Sequence, residues 1–268
     1  MTTDENCLFL FGGDANKNAL THHRHFPGIS PWTAEAWTAS DDRVRGGKSQ
    51  SYLDCPAGAD KAVFRGTLDI TALGGAGFAS QRTVDDDGAH EPPPPPPAGP
   101  WDVSAYDGLR LRVLRAGGDG KKYTLTLKDE VLPKRPDGRD QSTVSWEYDF
   151  ISPKDGDGDD DSEDRELYVP WSDFKPTYRG KPKLDAPELD LANVRRISLM
   201  MRSFFGEQEG AFRLEVAYIA AFKEASRNAA RPTSIASSSS STGYPEKGGD
   251  GVRSEPKSWL AWMCGLFK

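Results

Sequence analysis

The chain has 268 residues, a formal net charge of −7 and a hydrophobic fraction of 36 %, with 27 glycines and 20 prolines. This length suits one domain with appendages, and the composition fits a compact β-rich domain diluted by polar segments. The negative charge argues against a nucleic-acid partner, because binding to phosphates depends on an excess of Lys and Arg.

Cysteine usage and the N-terminus bear on the compartment. The chain has three cysteines, Cys7, Cys55 and Cys264, and no C-x-x-C pair. An odd number without such a pair does not form a disulfide framework, so it indicates a reducing, intracellular compartment. The first eleven residues, MTTDENCLFLF, lack a basic region and contain acidic residues, so they fit neither a secretory signal nor a mitochondrial presequence. No apolar run reaches the roughly 18 residues of a membrane-spanning helix.

Apolar and polar residues alternate with a period of two up to Phe222, the pattern of half-buried strands. The clearest strands are LRLRV, YTLTLK, SWEYDF, RISLMM and AFRLEVAYI, and shorter candidates are 7–11, 49–53, 62–70, 77–82 and 167–169. The residues predicted to face inward are Leu109, Leu111, Val113, Tyr123, Leu125, Leu127, Trp146, Tyr148, Phe150, Ile197, Leu199, Met201, Phe212, Leu214, Val216 and Tyr218. Helical turns are expected only near 16–23 and 31–38. About ten short strands predict an all-β fold, an antiparallel β-sandwich of the jelly-roll type.

Composition divides the chain into a domain at 1–225, a Ser/Gly-rich linker at 226–258 and an apolar peptide at 259–268. Two insertions interrupt the domain. Residues 85–100 are acidic and then polyproline, which favours an exposed polyproline II spacer. Residues 153–164 space their aspartates like a calcium loop, but Asp160 stands where the turn needs glycine. We therefore expect a solvated charge run there and no metal site.

No catalytic constellation is visible. The histidines are His22, His23, His25 and His90, and no second Cys/His cluster could complete a metal site with them. No serine lies in a G-x-S-x-G elbow. The run LGGAGFAS imitates a dinucleotide loop, but a strand-like segment follows it where a helix is required. The sequence predicts neither an enzyme nor a cofactor.

The segment 41–51, DDRVRGGKSQS, is the most unusual polar stretch. Gly46 and Gly47 allow the chain to reverse, and the preceding aspartates can accept backbone N–H groups across the turn. Arg43 and Arg45 offer planar donors for a carboxylate. These properties fit a buried structural loop and a ligand site equally well.

The same segment resembles the signature of the complex I intermediate-associated protein 30 family, and further motifs follow in register. FRGTLDI and GGAGFASQR resemble the next two strands, YDGLRLRV and YTLTLKDE a central hairpin, VPWSDFKPTYRG a tryptophan-phenylalanine turn, and RRISLMM and GAFRLEVAYI the closing strands. The resemblance spans nearly all of residues 8–221. It implies a galactose-binding-like jelly roll.

The family's best-known members are non-catalytic assembly factors of mitochondrial respiratory complex I, so the resemblance implies a chaperone-type protein that binds assembly intermediates in mitochondria. The missing presequence leaves a cytosolic adaptor as an alternative, and fold analogy leaves carbohydrate or small-ligand binding as another. The hypothetical partner-binding residues are Asp41, Asp42, Arg43, Arg45, Gly46, Gly47, Ser49, Gln50, Trp171, Phe174, Tyr178 and Arg179.

The C-terminal peptide is a second candidate for contact, with a membrane surface or a protein groove. On a helix, Trp259, Trp262, Met263 and Leu266 would share one face, and Phe267 adds apolar area beside it. The alternative is that the peptide docks on its own domain.

We expect the intact chain to sediment with liposomes that contain anionic lipid, because Lys257 and Lys268 flank the apolar peptide. A chain ending at Lys257 should stay in the supernatant. If both chains stay there, the membrane hypothesis is wrong, and a blue-shifted tryptophan emission that disappears with the peptide would then indicate docking on the domain.

Overall fold

The computed structural model describes residues 7–13, 32–56, 61–85, 100–155 and 164–224, all within one compact unit, Met1–Arg231. The histidines, the polyproline run, most of the acidic insertion, the helical turn expected at 16–23, the linker and the apolar peptide lie outside these ranges. Within the described ranges, no helix is long and apolar enough to cross a membrane.

Thirteen strands and three short 3-10 turns make up the regular structure of the described residues. The strands are β1 (Cys7–Gly12), β2 (Trp37–Ala39), β3 (Gln50–Asp54), β4 (Ala62–Leu68), β5 (Phe78–Thr83), β6 (Gly108–Leu114), β7 (Lys122–Lys128), β8 (Ser145–Ile151), β9 (Arg165–Pro170), β10 (Lys175–Tyr178), β11 (Lys181–Pro182), β12 (Arg196–Arg202) and β13 (Gly210–Phe222). The 3-10 turns are Ala34–Ala36, Asp42–Arg45 and Trp171–Asp173.

The strands form two sheets in which every pairing is antiparallel. The six-stranded sheet has the order β3-β4-β13-β6-β9, with β1 also paired to β13. The seven-stranded sheet has the order β11-β10-β8-β7-β12-β5-β2. This arrangement confirms the predicted all-β jelly-roll sandwich.

The core lies between the sheets and follows the alternation in the sequence. The predicted inward residues of β6, β7 and β12 are all buried, among them Leu111, Leu125 and Leu199. Tyr148 is only half-buried. A strand that buries every second residue contributes about 1.5–3 kcal/mol for each large apolar side chain removed from water.

Tyr218 departs from the predicted pattern. A register shift between Val216 and Tyr218 moves the second half of β13 out of phase, so that Ile219 pairs with inward-facing Leu111 and Tyr218 pairs with outward-facing Arg112. Tyr218 is nevertheless buried, because the Arg110 guanidinium covers its ring at 5.4 Å. Its predicted burial is therefore confirmed, but it lies on the outer face of the sheet and outside the main core cluster.

One local prediction needs correction. The hairpin that the resemblance implied between β6 and β7 is wrong, because β6 pairs with β9 and β13 whereas β7 pairs with β8 and β12 in the other sheet. The short helical turn expected near 31–38 is present as the 3-10 turn Ala34–Ala36, and β2 follows it at once. Alternation along β6 and β7 could not have corrected the hairpin, because it carries no information about which strand lies beside which.

Candidate functional site

The segment 41–51, here called the signature segment, lies where one edge of each sheet meets the other. Ser49 precedes β3, the edge strand of the six-stranded sheet, while Phe78 begins β5 of the seven-stranded sheet. Asp42 joins the two and is fully buried, at 0 % exposure. Its Oδ1 accepts the Ser49 N–H at 3.0 Å, and its Oδ2 accepts the Ser49 hydroxyl at 2.7 Å and the Phe78 N–H at 3.0 Å.

Asp41 repeats this arrangement one step further along the same strands. Its Oδ1 accepts the Ser51 hydroxyl at 2.6 Å and the Ser80 N–H at 3.0 Å. Its Oδ2 accepts the Ser51 N–H at 3.2 Å and a guanidinium N–H of Arg43 at 3.1 Å. Buried carboxylates with this many donors are stabilised where a bare carboxylate would be very costly. We call the two aspartates and their donors the carboxylate lock.

Two glycines are needed for different reasons. Gly46 ends the 3-10 turn with a φ of 84°, in the left-handed region. Gly47 instead lies against Asp42, where an added Cβ would be 2.2 Å from Oδ1. The sequence-based expectation of chain reversal therefore holds at Gly46, whereas Gly47 leaves room for the carboxylate.

The other half of the signature segment faces solvent. Arg43, Val44, Arg45 and Lys48 are exposed, and Val44 keeps 60 % of its accessible surface. The Arg45 guanidinium stacks on the Phe78 ring at 5.5 Å. Residues 43–48, here called the exposed tip, thus present three cations around one aliphatic side chain. Ser49 belongs to the lock, and the exposed Gln50 begins β3 beside the tip.

The second group of predicted site residues is elsewhere. Trp171 and Phe174 follow β9, at the edge of the six-stranded sheet opposite β3, and Tyr178 ends β10, near the edge of the seven-stranded sheet opposite β5 and β2. The structure therefore does not bring these residues together with the signature segment. Local sequence could not reveal this, because the order of strands in a sheet depends on the whole chain.

These residues also differ in their surroundings. Phe174 is buried, and the Trp171 indole N–H donates to the Tyr106 carbonyl at 2.6 Å, so both have a structural role. Tyr178 is exposed, but the Arg179 guanidinium lies over its ring at 5.4 Å. Arg179 also has a positive φ of 52°.

The outer face of the seven-stranded sheet is filled by its own side chains. Arg202 on β12 reaches across β7 to β8, where it pairs with Glu147 at 2.6 Å and Asp149 at 2.7 Å. Thr124 and Thr126, the outward-facing residues of β7 between these strands, are buried. This part of the sheet offers no open groove to a ligand.

A second ionic cluster fills the adjacent part of this face. Arg82 and Arg196 both pair with Asp85 and Asp140. Lys128 donates to the Thr143 hydroxyl at 2.8 Å beside them. Burial, reinforced by repulsion from Arg196, lowers the pKa of Lys128 to about 8.

Exposed aromatic rings are scarce on the sheets. The tryptophans at 32, 37, 101 and 146 are buried. Tyr52 is exposed on β3, but the Arg65 guanidinium covers its ring at 4.9 Å. Among the described residues, no cluster of three or more His, Cys, Asp or Glu side chains could hold a metal ion.

Comparisons with known proteins match most of the chain in sequence. A family model described as complex I intermediate-associated protein 30 matches residues 26–216. An uncharacterized protein of Schizosaccharomyces pombe is 37 % identical over 187 residues, which cover 68 % of this chain and 76 % of the relative.

Solved structures with a similar fold are distant in sequence. A family 11 carbohydrate-binding module of Clostridium thermocellum, solved with a β-1,3-1,4-mixed-linked tetrasaccharide, is 13 % identical with a TM-score of 0.44 over 71 % of this chain and 91 % of the module. A second structure of this type, from a cellulosomal cellulase of the same organism, is 14 % identical with a TM-score of 0.43 over 74 % and 91 %. A structural similarity this low does not indicate which ligand, if any, this chain binds.

The two glycines of the turn should respond differently to substitution. We expect Gly46→Val to lower the free energy of unfolding by about 1–3 kcal/mol, because a β-branched residue tolerates positive φ badly. Gly47→Ala adds only a methyl group but displaces the Asp42 carboxylate, and should cost on the order of 3 kcal/mol as donors lose their acceptor. Urea unfolding of both variants measures this, and wild-type stability of Gly47→Ala would contradict the lock.

The effect of Lys128→Met on the free energy of unfolding should depend on pH, because the lysine is buried. The unfolded lysine titrates near 10.5 and the folded one near 8, so between these values only the unfolded chain holds the proton. Lysine therefore contributes more favourably to stability as pH rises through this window. The stability of Lys128→Met relative to wild type should fall from pH 8 to 10.5 in urea unfolding, and a difference independent of pH would refute the shifted pKa.

Proposed function

The chain belongs to the complex I intermediate-associated protein 30 family, and we propose that it is a non-enzymatic, chaperone-type assembly factor. It binds protein intermediates in the assembly of mitochondrial respiratory complex I, NADH:ubiquinone oxidoreductase. The matched residues 26–216 include twelve of the thirteen strands in whole or in part. The family resemblance therefore extends over the sandwich itself and is not limited to a short motif.

The proposal rests on the division of the signature segment into a buried half, the lock, and an exposed half, the tip. The aspartates and serines of the lock are buried and bonded to one another, so none is available as an acid, a base or a nucleophile. What remains accessible is the exposed tip, with Val44 between Arg43 and Arg45. Aliphatic surface bordered by arginine suits a protein interface, in which Arg is enriched and side chains rather than reacting groups make the contact.

Carbohydrate binding is the second candidate and has less support. Sugar-binding sites of this kind would need free aromatic platforms beside accessible polar groups. The rings of Tyr52 and Tyr178 are each covered by an arginine, and Arg202 on the seven-stranded sheet is paired with Glu147 and Asp149. These contacts favour a protein partner.

Family membership also suggests the compartment. We propose a mitochondrial location, with the cytosol as the alternative. A cytosolic adaptor would use the same sandwich and the same exposed tip.

Affinity purification of the tagged full-length chain from its own organism tests the proposal. We expect complex I subunits among the bound proteins and, in cells that lack the chain, a several-fold loss of assembled complex I on native gels. The matched variant is Arg45→Glu, which alters an exposed side chain that gives no hydrogen bond to the lock. Normal complex I in cells without the chain, together with no complex I subunit in the purified fraction, would refute the assembly role.

A further inference from the structure

The connection between β12 and β13 holds an unusual backbone. Phe204 and Phe205 have positive φ values of 45° and 63°, and Gly206 follows at 92°. The left-handed region is natural for glycine but unfavourable for a residue with a side chain. Two consecutive phenylalanines in this region are therefore held there by their surroundings.

Hydrogen bonds fix residues 203–209, here called the Phe204 loop. The Ser203 carbonyl accepts the N–H groups of Gly206 at 3.0 Å, Glu207 at 2.9 Å and Gln208 at 3.3 Å. Ser203 and Gly77 exchange two further bonds, from the Ser203 N–H to the Gly77 carbonyl at 3.0 Å and from the Gly77 N–H to the Ser203 hydroxyl at 3.1 Å. The loop is thereby tied to the residue that precedes β5.

Gln208 ties the loop to β7 as well. Its side-chain NH2 donates to the carbonyls of Lys122 at 2.8 Å and Arg202 at 2.7 Å, and its Oε1 accepts the Lys122 N–H at 3.1 Å. The side chains of the same two cations lie on the Phe204 ring, with Lys122 Nζ at 4.0 Å and the Arg202 guanidinium at 4.6 Å from its centroid. Hydrogen bonds of the loop therefore hold the backbone around Phe204, and the two cations hold its ring.

This arrangement places the neighbouring Phe205 in solvent, with 96 % of its surface exposed. Leaving so large a ring in water is unfavourable, and the loop that presents it is both strained and rigid. Strain that the surrounding structure maintains is characteristic of functional positions. An aromatic side chain on a backbone that is already fixed suits the anchor of a protein interface, because the backbone loses little freedom on binding.

The Phe204 loop lies at the same end of the sandwich as the exposed tip. Arg45 of the tip stacks on Phe78, Phe78 pairs with Arg202 across β5 and β12, and Arg202 stacks on Phe204. These contacts link the exposed tip to the Phe204 loop in one surface, and each of the two parts carries an exposed apolar side chain, Val44 and Phe205. Neither the loop nor this surface was predicted from the sequence.

We propose that Phe205 is the anchor of this surface and inserts into an apolar pocket on a partner protein, with carboxylates of the partner opposite the exposed tip. The identity of the partner rests on the proposed function, but the contact itself does not. The charges favour a protein over a lipid surface, because exposed Glu207 and Glu209 accompany Phe205 on the loop and would be repelled by anionic headgroups. A protein surface can match cations on one side and acids on the other.

Photo-crosslinking of the full-length chain in its own cells tests the contact. p-Benzoylphenylalanine is placed at position 205 and, as the matched control, at position 184, where Leu184 is 97 % exposed in the segment after β11. Position 205 should give at least about tenfold more protein adduct than position 184, the scale expected for a hot-spot residue. Phe205→Asp should reduce the co-purified partner by a similar factor, while Leu184→Asp should not, and both variants should unfold like wild type.

The outcomes separate the two proposals. Adducts at 205 with a protein unrelated to complex I would leave the anchor in place and refute the assembly role. Co-purification of complex I subunits that is unaffected by Phe205→Asp, without an adduct at 205, would leave the assembly role in place and overturn the anchor. Adducts at 205 with lipid alone, or equal adducts at 205 and 184, would also overturn the anchor.

Discussion

The two sheets of this sandwich are joined along one side by carboxylates, and much of the structure depends on that connection. No main-chain ladder links β3 to β5, since they lie in different sheets. Asp41 and Asp42 supply the missing acceptors, each bonded to one N–H from the region of β3 and one from β5. Removal of either would leave buried donors without a partner, which costs more than the bond itself contributes.

The lock also sets the geometry of the surface outside it. The N–H of Phe78 is bonded to Asp42 within the sandwich, while its ring lies under Arg45 at the surface. The next strand positions Arg202 beside Phe78, and Arg202 in turn packs on Phe204. The exposed tip and the Phe204 loop, which are about 160 residues apart in the sequence, therefore share one rigid base. A partner would meet a preformed surface.

Local patterns in the sequence predicted the fold well but the candidate site only in part. Alternation along β6, β7 and β12 identified which residues face the core, because the period of two is a property of the strand itself. At Tyr218 it predicted the burial but not the face, because a bulge changes the phase, and it could not show that Trp171 lies at the opposite edge from the signature segment. The strain at Phe204 and Phe205 left no pattern in the sequence except the glycine that follows.

The division of the signature segment changes how substitutions within it should be interpreted. Asp41, Asp42 and Ser49 are inside the sandwich, so their replacement removes hydrogen bonds of the fold, and any loss of function would follow from unfolding. Arg45 and Val44 are outside, so their replacement leaves the hydrogen bonds of the lock intact. A stretch of eleven neighbouring residues can therefore contain two separate classes of effect. Function should be assigned to its exposed tip only from variants whose stability has been measured.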